Sequence, residues 1–241
     1  MGREICPGCF LVASPTRPGP HLLGGPNALH GADCPNCKVP LILFLTLDLS
    51  DPVLRFPEIG LRRLPLLYCP RCAVFESDLA YRVIHDDEIE ILEAGMGEQP
   101  QLWQAWQEWV GAQLRPVAYR LQPFPPLVQR LIDRANDAPD LHKTEIEVIA
   151  SHTGHYADPD VGGYPLLDVV NQVGGTPYLS QGLYEPDCPY CATLGAYRET
   201  SFLACLTSDR WRNLDIIYPG AYLVFCMCKI CCTIVAAQYA D

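Results

Sequence analysis

The sequence predicts a β-rich α+β chain, two diverged copies of a zinc-knuckle β unit separated by a helical middle segment. Three observations carry that expectation. A glycine pair with a nearby proline occurs twice, at Gly24-Gly25-Pro26 and at Gly174-Gly175-Thr176-Pro177. Each is followed by an Asp-Cys-Pro-x-Cys element, Asp33 to Cys37 and Asp187 to Cys191. Each of those leads into apolar runs that end in a second cysteine cluster: Cys69-Pro70-Arg71-Cys72 in the first copy, and Cys226, Cys228, Cys231 and Cys232 in the second.

The first unit spans 1–97. Leu41, Leu43, Leu45, Leu47 and Leu49 recur with period two, which predicts a strand with these leucines on one face. Leu64 to Tyr68 reads as its return strand, and Pro65, which lacks a backbone donor, marks it as an edge or a strand start. Tyr81 to Ile84 and Ile89 to Leu92 form a hairpin around His85-Asp86-Asp87-Glu88, whose carboxylates read as a solvated turn. The middle, 98–140, is a helical, Pro-rich connector. Gln101 to Leu114 has helix formers and a Trp103, Trp106, Trp109 stripe that reads as core packing. A second helix is expected over Leu127 to Ala135, with Leu127, Leu131 and Ile132 on one face. The second unit spans 141–241, with a strand at Thr144 to Ala150, a Val161 to Pro165 near-copy of the Gly-Gly turn, a strand at Phe202 to Leu206 and another through Tyr222 to Phe225. Paired glycines suit tight turns with positive φ, so a structural role is expected of them before a ligand-binding one.

Composition narrows the class. Of 241 residues, 49% are apolar and 19% charged, the balance of a folded globular chain. Pro, Asp, Arg or Lys interrupts every apolar run before membrane-spanning length, so no membrane partner is expected. The start lacks a secretory pattern, and Cys6 stands where a myristoylation motif wants Ser or Thr, so a cytoplasmic protein is expected. In that compartment the 13 cysteines are thiols rather than disulfides. A net charge of −11 opposes nucleic-acid binding and suits a basic protein partner.

Cys-x-x-Cys delivers two soft ligands from one tight turn, and zinc takes four in a tetrahedron. Cys34, Cys37, Cys69 and Cys72 fit one structural Zn2+ site, because the separation between the two pairs suits a strand, a turn and a returning strand. Cys188 and Cys191 open a second site. Aligning Leu67-Tyr68-Cys69 with Val224-Phe225-Cys226 would recruit Cys226, but the Cys-x-x-Cys spacing selects Cys228 and Cys231. Cys205 and Cys232 read as buried thiols. Cys6-Pro7-Gly8-Cys9 is a half-site without a mate and leaves a third Zn2+ open, completed by spare thiols or by His152 and His155. A redox reading is disfavoured, because redox Cys-x-x-Cys motifs stand singly at a helix start whereas these come in matched pairs flanked by strands. His152 and His155 otherwise read as a polar loop, and Asp158 and Asp160 lack the further oxygens of a calcium loop. No nucleophile elbow, phosphate loop or dinucleotide fingerprint is present, so no catalytic residues are expected.

Gly24, Gly25, Pro26, Cys34, Cys37, Cys69 and Cys72, with Gly174, Gly175, Pro177, Cys188, Cys191 and the 226–231 cluster, give the chain a resemblance. It resembles the programmed cell death protein 2 family and, more loosely, the bacterial YwqG-like family of unknown function. The resemblance to the first implies a cytosolic zinc-binding chaperone that shields a nascent ribosomal protein and has no enzyme activity. The chain departs from that family in lacking a separate MYND-type finger. The expectation is therefore a non-enzymatic zinc protein that binds another protein, as a chaperone or escort of a basic client. A bacterial immunity protein that neutralises a toxin is the alternative, and a metal-dependent enzyme is the third.

Overall fold

The structure, a computed structural model, describes residues 7–13, 19–54, 56, 59–70, 72, 78–95, 114–137, 171–177, 185–207 and 221–240. The expectations for Cys6, the 101–113 helix with its tryptophans, the 144–150 strand, His152, His155, Asp158, Asp160 and the 161–165 turn lie outside these residues.

Eleven strands form one sheet: β1 (Cys9–Ala13), β2 (His21–Leu23), β3 (Ile42–Asp48), β4 (Arg63–Tyr68), β5 (Leu79–His85), β6 (Glu88–Ala94), β7 (Val117–Pro123), β8 (Gln172–Val173), β9 (Ser201–Thr207), β10 (Ala221–Met227) and β11 (Thr233–Ala240). Their order across the sheet is β4-β3-β2-β7-β1-β8-β9-β10-β11-β5-β6. Two helices, α1 (Pro126–Asp137) and α2 (Pro189–Thr193), complete the described elements.

The duplication is structural. β3 and β4 pair antiparallel, and Leu43 faces Leu67 while Leu45 faces Leu66, so Phe44 is an extra residue bulged out of the ladder. β9 and β10 repeat the device: Phe225 faces Ala204 and Cys226 faces Phe202, leaving Leu203 as the extra residue. The bulge in β3 corrects the expected strict alternation. It resets the pleat, so Phe44, Leu45 and Leu47 are all buried while Leu43 and Leu49 are only half-buried.

Each glycine pair serves its own bulge. The Gly24 N–H donates to the Phe44 carbonyl and the Gly174 N–H to the Leu203 carbonyl, both at 2.8 Å. Both glycines hold φ at 68°, a left-handed conformation that a side chain resists. A Cβ on Gly24 would also stand 2.5 Å from the Leu114 Cβ. The structural reading of the glycine pairs holds at both described copies.

The two copies exchange their first strands. β1 lies between β7 and β8, with Cys9 facing Pro123 on one side and Val173 on the other. β7 in turn pairs with β2 of the first copy. A pseudo-twofold relation between β1 and β7 therefore maps β2, β3, β4 and β5 onto β8, β9, β10 and β11, and neither copy is complete without a strand from the other. One position breaks the symmetry. β10 pairs with β11, but β4 does not pair with β5, because β5 pairs with β11 and β6 instead.

The sheet curls far enough for β5 to reach β4 by a side chain. The Tyr81 hydroxyl accepts from the Leu67 N–H at 2.8 Å and donates to the Pro65 carbonyl at 2.9 Å. β4 is an edge strand, as Pro65 implied, and Tyr81 stands in for its missing neighbour. The opposite edge, β6, is also covered. His30 exchanges backbone bonds with Asp87 and Ile89, at 2.8 and 2.9 Å, and Asn36 Nδ2 donates to the Gly95 carbonyl at 2.6 Å, so the 30–36 segment follows the strand. Unpaired edge groups that would recruit foreign strands are thereby blunted.

Three expectations need correction. β7 is a strand inside the segment read as a helical connector. Its buried residues, Tyr119 and Leu121, alternate with exposed Arg120 and Gln122, a period-two pattern obscured by flanking prolines. Leu114 is not helical but precedes β7 and is buried against the Gly24 turn. In α1 the buried face is Val128, Leu131 and Ile132, at helical spacing, whereas Leu127 is 44% exposed because it sits in the first turn and points away. β1, β2, β8, β11 and the short helix α2 carry no counterpart in the sequence-based expectation, which placed only strands around the knuckles.

Candidate metal centres

Eight cysteines gather into two tetrads: Cys34, Cys37, Cys69 and Cys72, and Cys188, Cys191, Cys228 and Cys231. Within each, all four sulfurs lie within 4.8 Å of one another. The tetrads contain all eight residues expected as ligands.

Backbone geometry places each thiol. The first knuckle closes on itself: the Lys38 N–H donates to the Cys34 carbonyl and the Cys34 N–H to the Val39 carbonyl, both at 2.9 Å. Lys38 takes a φ of 60° to complete the turn. The Cys228 knuckle has the same form. The Cys232 N–H donates to the Cys228 carbonyl at 3.0 Å, the Cys228 N–H to the Thr233 carbonyl at 2.8 Å, and Cys232 takes a φ of 59°. The other pair of the second tetrad sits on a helix start. Cys188 is the N-cap of α2, and its sulfur lies 3.5 Å from the Cys191 nitrogen and accepts that N–H.

Strand register settles which cysteine of the crowded cluster joins the tetrad. Tyr68, the last residue of β4, faces Ile42, the first of β3; Met227, the last of β10, faces Ser201, the first of β9. The next residues, Cys69 and Cys228, are therefore equivalent. Cys226 is the penultimate residue of β10, two positions before Cys228, and is buried among Phe202, Cys205, Tyr222 and Val224. Burial pushes its thiol up to about 12. The match of Phe225-Cys226 to Tyr68-Cys69 misleads by two residues.

The sulfur separations suit a tetrahedral ion. Cys37 and Cys69 are 3.8 Å apart, Cys188 and Cys231 3.4 Å, Cys191 and Cys228 3.8 Å, and Cys191 and Cys231 3.7 Å. A tetrahedron with metal–sulfur bonds of about 2.3 Å has edges of about 3.8 Å. A disulfide needs about 2.05 Å, so these are not bonded pairs. Either tetrad can hold a metal ion.

Electrostatics make each tetrad uneven. A hydrogen bond from Cys69 brings the Cys34 thiol down to about 5, helped by the backbone N–H groups of Cys37 and Asn36. Donating to Cys34 raises Cys69, and burial pushes Cys72 up to about 12. In the second tetrad, hydrogen bonds from Cys231 and then from the Ile230 and Cys231 N–H groups lower Cys228, against the cost of burial. Giving that bond raises Cys231 to about 12, and burial raises Cys191 to about 11. Cys34 is thus prepared as thiolate and Cys228 is biased the same way, while Cys72, Cys191 and Cys231 keep their protons until a cation replaces them.

Both tetrads grip the β5–β6 hairpin. Asn36, in the first knuckle, holds the end of β6, and α2 packs against β6 from the second. The Arg82 guanidinium of β5 lies 4.2 Å from the centre of the Tyr190 ring, between Cys188 and Cys191. Sequence reasoning missed Asn36, Arg82 and Tyr190, since nothing local marks them. It also gave Asp86 only to solvent, whereas one carboxylate oxygen accepts the Arg62 and Arg63 N–H groups, at 2.7 and 3.1 Å.

Outside the tetrads the candidates thin out. Cys9 is buried on β1, where its thiol donates to the Pro7 carbonyl at 3.1 Å, and it belongs to neither tetrad. Cys205 and Cys232 are buried, as expected of spare thiols. His21 is fully buried and committed at both nitrogens. The Asp48 N–H donates to Nδ1 at 3.0 Å, so Nε2 carries the proton that it gives to Asp51, at 2.9 Å. It offers no lone pair to a substrate or an ion. Among the described residues no helix is long and apolar enough to cross a membrane. Comparison with protein-family models, curated proteins and solved structures finds no match to this chain.

Proposed function

We propose that the chain is a non-enzymatic protein whose two tetrads bind structural zinc, and that it binds another protein as a chaperone or escort of a basic client. The observation that carries this reading is the donor set. Four buried or half-buried cysteine sulfurs per site saturate a tetrahedral ion, leaving no position for water or substrate, which is the mark of structural rather than catalytic zinc. Zinc prefers such thiolate tetrahedra among the available divalent ions. Bound there, it ties the knuckle before a strand to the end of that strand's hydrogen-bonded neighbour, β3 with β4 in the first copy and β9 with β10 in the second.

What zinc holds in place is surface. The tetrads clamp a hairpin bearing Asp86, Asp87, Glu88, Glu90 and Glu93, in a chain of net charge −11. Such a field attracts cationic partners and speeds their capture. The resemblance to the programmed cell death protein 2 family supports the same reading.

Two measurements test it. Metal analysis of the purified chain should give two zinc ions per molecule, and a cobalt-substituted sample should show only all-thiolate tetrahedral bands. Cross-linking in native cells followed by mass spectrometry should recover one basic protein in near-stoichiometric amount, and the Cys34→Ser variant should lose it. Cobalt bands of an open, water-bearing site, or the absence of any stoichiometric partner, would overturn the reading.

A further inference from the structure

Three large apolar side chains stand in solvent on the loops of the second tetrad. Leu194 is 68% exposed, Tyr197 83% and Ile230 72%. Leu194 caps α2, its N–H on the Cys191 carbonyl at 3.1 Å. Ala196, beside Tyr197, bonds the same carbonyl at 3.0 Å and packs against the tetrad. Ile230 lies between Cys228 and Cys231. Sulfur contacts at 3.8 Å (Cys191–Cys228) and 3.7 Å (Cys191–Cys231) join the two loops, which sets the three side chains around one ion site, a platform for contact. Elsewhere among the described residues, the exposed large hydrophobics are Leu22 and Leu127, at 38% and 44%.

Among the described residues the first tetrad has no counterpart of Leu194 and Tyr197, and the reason is a local insertion. From Phe44 to Cys69, and from Leu203 to Cys228, the distance is 25 positions. From Cys37 to Phe44 it is 7, but from Cys191 to Leu203 it is 12. The second copy therefore carries five additional residues just after its first knuckle, in the stretch that holds Leu194 and Tyr197. The first knuckle runs from Cys37 through Lys38 and Val39 toward β3 without that stretch, and the sequence position matching Ile230 is Arg71. Isolated exposed hydrophobics need no explanation, but three on one rigid platform do.

The rim selects the occupant. α2 lies against β6, whose Glu88, Glu90 and Glu93 are exposed, and Asp187 and Glu199 flank the loop. Arg82 is engaged over Tyr190 and lies 4.0 Å from Glu90. Arg198 is the exposed cation of the α2 loop, and Lys229 stands half-buried beside Ile230. The carboxylates of the rim, Glu88, Glu90, Glu93, Asp187 and Glu199, therefore outnumber its cations, Arg82, Arg198 and Lys229. A second copy would bring the same carboxylates and another −11 of charge, which opposes self-association.

We infer that this platform is the docking surface for a basic, amphipathic segment of a partner protein. Its apolar side chains rest on Leu194, Tyr197 and Ile230, and its Lys or Arg residues meet the β6 carboxylates. The inference rests on the protein-binding reading above and gives it an address.

The test uses the full, zinc-loaded chain and three labelled peptides of equal length, followed by fluorescence anisotropy: Lys/Arg alternating with Leu/Phe, Glu alternating with Leu/Phe, and Lys alternating with Ser. The first should bind, the others should not. Combined Leu194→Ser, Tyr197→Ser and Ile230→Ser changes, with zinc content and circular dichroism checked, should weaken it at least about tenfold, as loss of a binding hot spot does. Glu90→Lys with Glu93→Lys should weaken it in a salt-sensitive way. Equal binding of the Glu peptide removes the basic occupant. Unchanged binding by the triple variant removes the address but leaves the client reading standing. A dimer in sedimentation that the triple variant abolishes assigns the platform to a second copy and overturns the inference. No binding by the wild type overturns it too, while cross-linked client recovery judges the parent reading separately.

Discussion

Zinc binding should release at least four protons per chain near neutral pH, and its affinity should climb steeply with pH. The thiols that carry those protons are identified by their surroundings. In the first tetrad Cys69 is raised by the bond it gives Cys34, and burial holds Cys72 at about 12. In the second, Cys231 stands at about 12 and Cys191 at about 11. All four are protonated at neutral pH in the metal-free fold, whereas a zinc ligand must be thiolate, so each ion displaces at least two protons. The sign follows: protons compete with the metal, so affinity falls as pH falls and is still rising at alkaline pH, below the raised thiol values. Two protons per ion make the apparent Kd tighten about 100-fold per pH unit. If the metal-free chain unfolds, its thiols revert to about 8.5, remain mostly protonated at neutral pH, and release approaches four per ion. The lower bound therefore holds for either state. A competition titration against a chromophoric chelator in weak buffer, with an indicator dye, reads both quantities. Fewer than four protons for two ions, or a flat pH dependence, would refute the four-thiolate assignment.

Three substitutions probe the frame around the sites. Cys228→Ser should remove one of two zinc ions, whereas Cys226→Ser should retain both, since Cys226 is buried in a separate apolar cluster; zinc analysis distinguishes them. Tyr81→Phe keeps the ring but orphans the buried Leu67 N–H and Pro65 carbonyl, and should cost about 2–4 kcal/mol in urea denaturation. Gly24→Ala forces a Cβ into a left-handed residue 2.5 Å from the Leu114 Cβ, and should cost about 2–4 kcal/mol in the same assay.

The sites were legible in the sequence because their information is local. Cys-Pro-x-Cys encodes a turn within five residues, and its repetition at matched spacing encodes pairing. The choice of Cys228 over Cys226 lay at the limit, because residue likeness pointed to Phe225-Cys226 while the bulges that set the register leave only a weak trace. Phe44 and Leu203 look like ordinary strand residues, and only their carbonyls, met by Gly24 and Gly174, reveal the bulge. β7 was hidden by composition, since prolines at both ends mimic a linker. Outside the tetrads, long-range side-chain contacts were not legible. Nothing near Tyr81 says that its hydroxyl replaces a neighbouring strand of β4, and nothing near Asn36 says that it ties down Gly95. The five-residue insertion before β9 is the exception. It was countable from spacing, but only once Leu203 had been matched to Phe44.

The exchange of β1 and β7 makes the duplicated halves interdependent. A copy isolated at the sequence boundary would keep its four cysteines but lose a central strand. The first half would present β2 without β7, and the second would present β8 without β1. β5 would likewise lose β11. Each break exposes a ladder of backbone donors and acceptors together with the apolar faces of Leu23, Val173 and Ile234, all at most 1% exposed in the whole chain. Two fragments meeting between residues 96 and 113 should therefore fail to fold alone even with zinc present, and should regain cooperative unfolding and near two-ion stoichiometry when mixed. Circular dichroism with zinc titration follows both steps. A cooperative thermal transition from the 114–241 fragment alone, with one zinc bound, would show that the second centre is self-sufficient and would refute the exchanged-strand reasoning. Reconstitution would instead mean that loss of one ion weakens the hydrogen-bonded frame of the other, so that the two centres act as one stability unit.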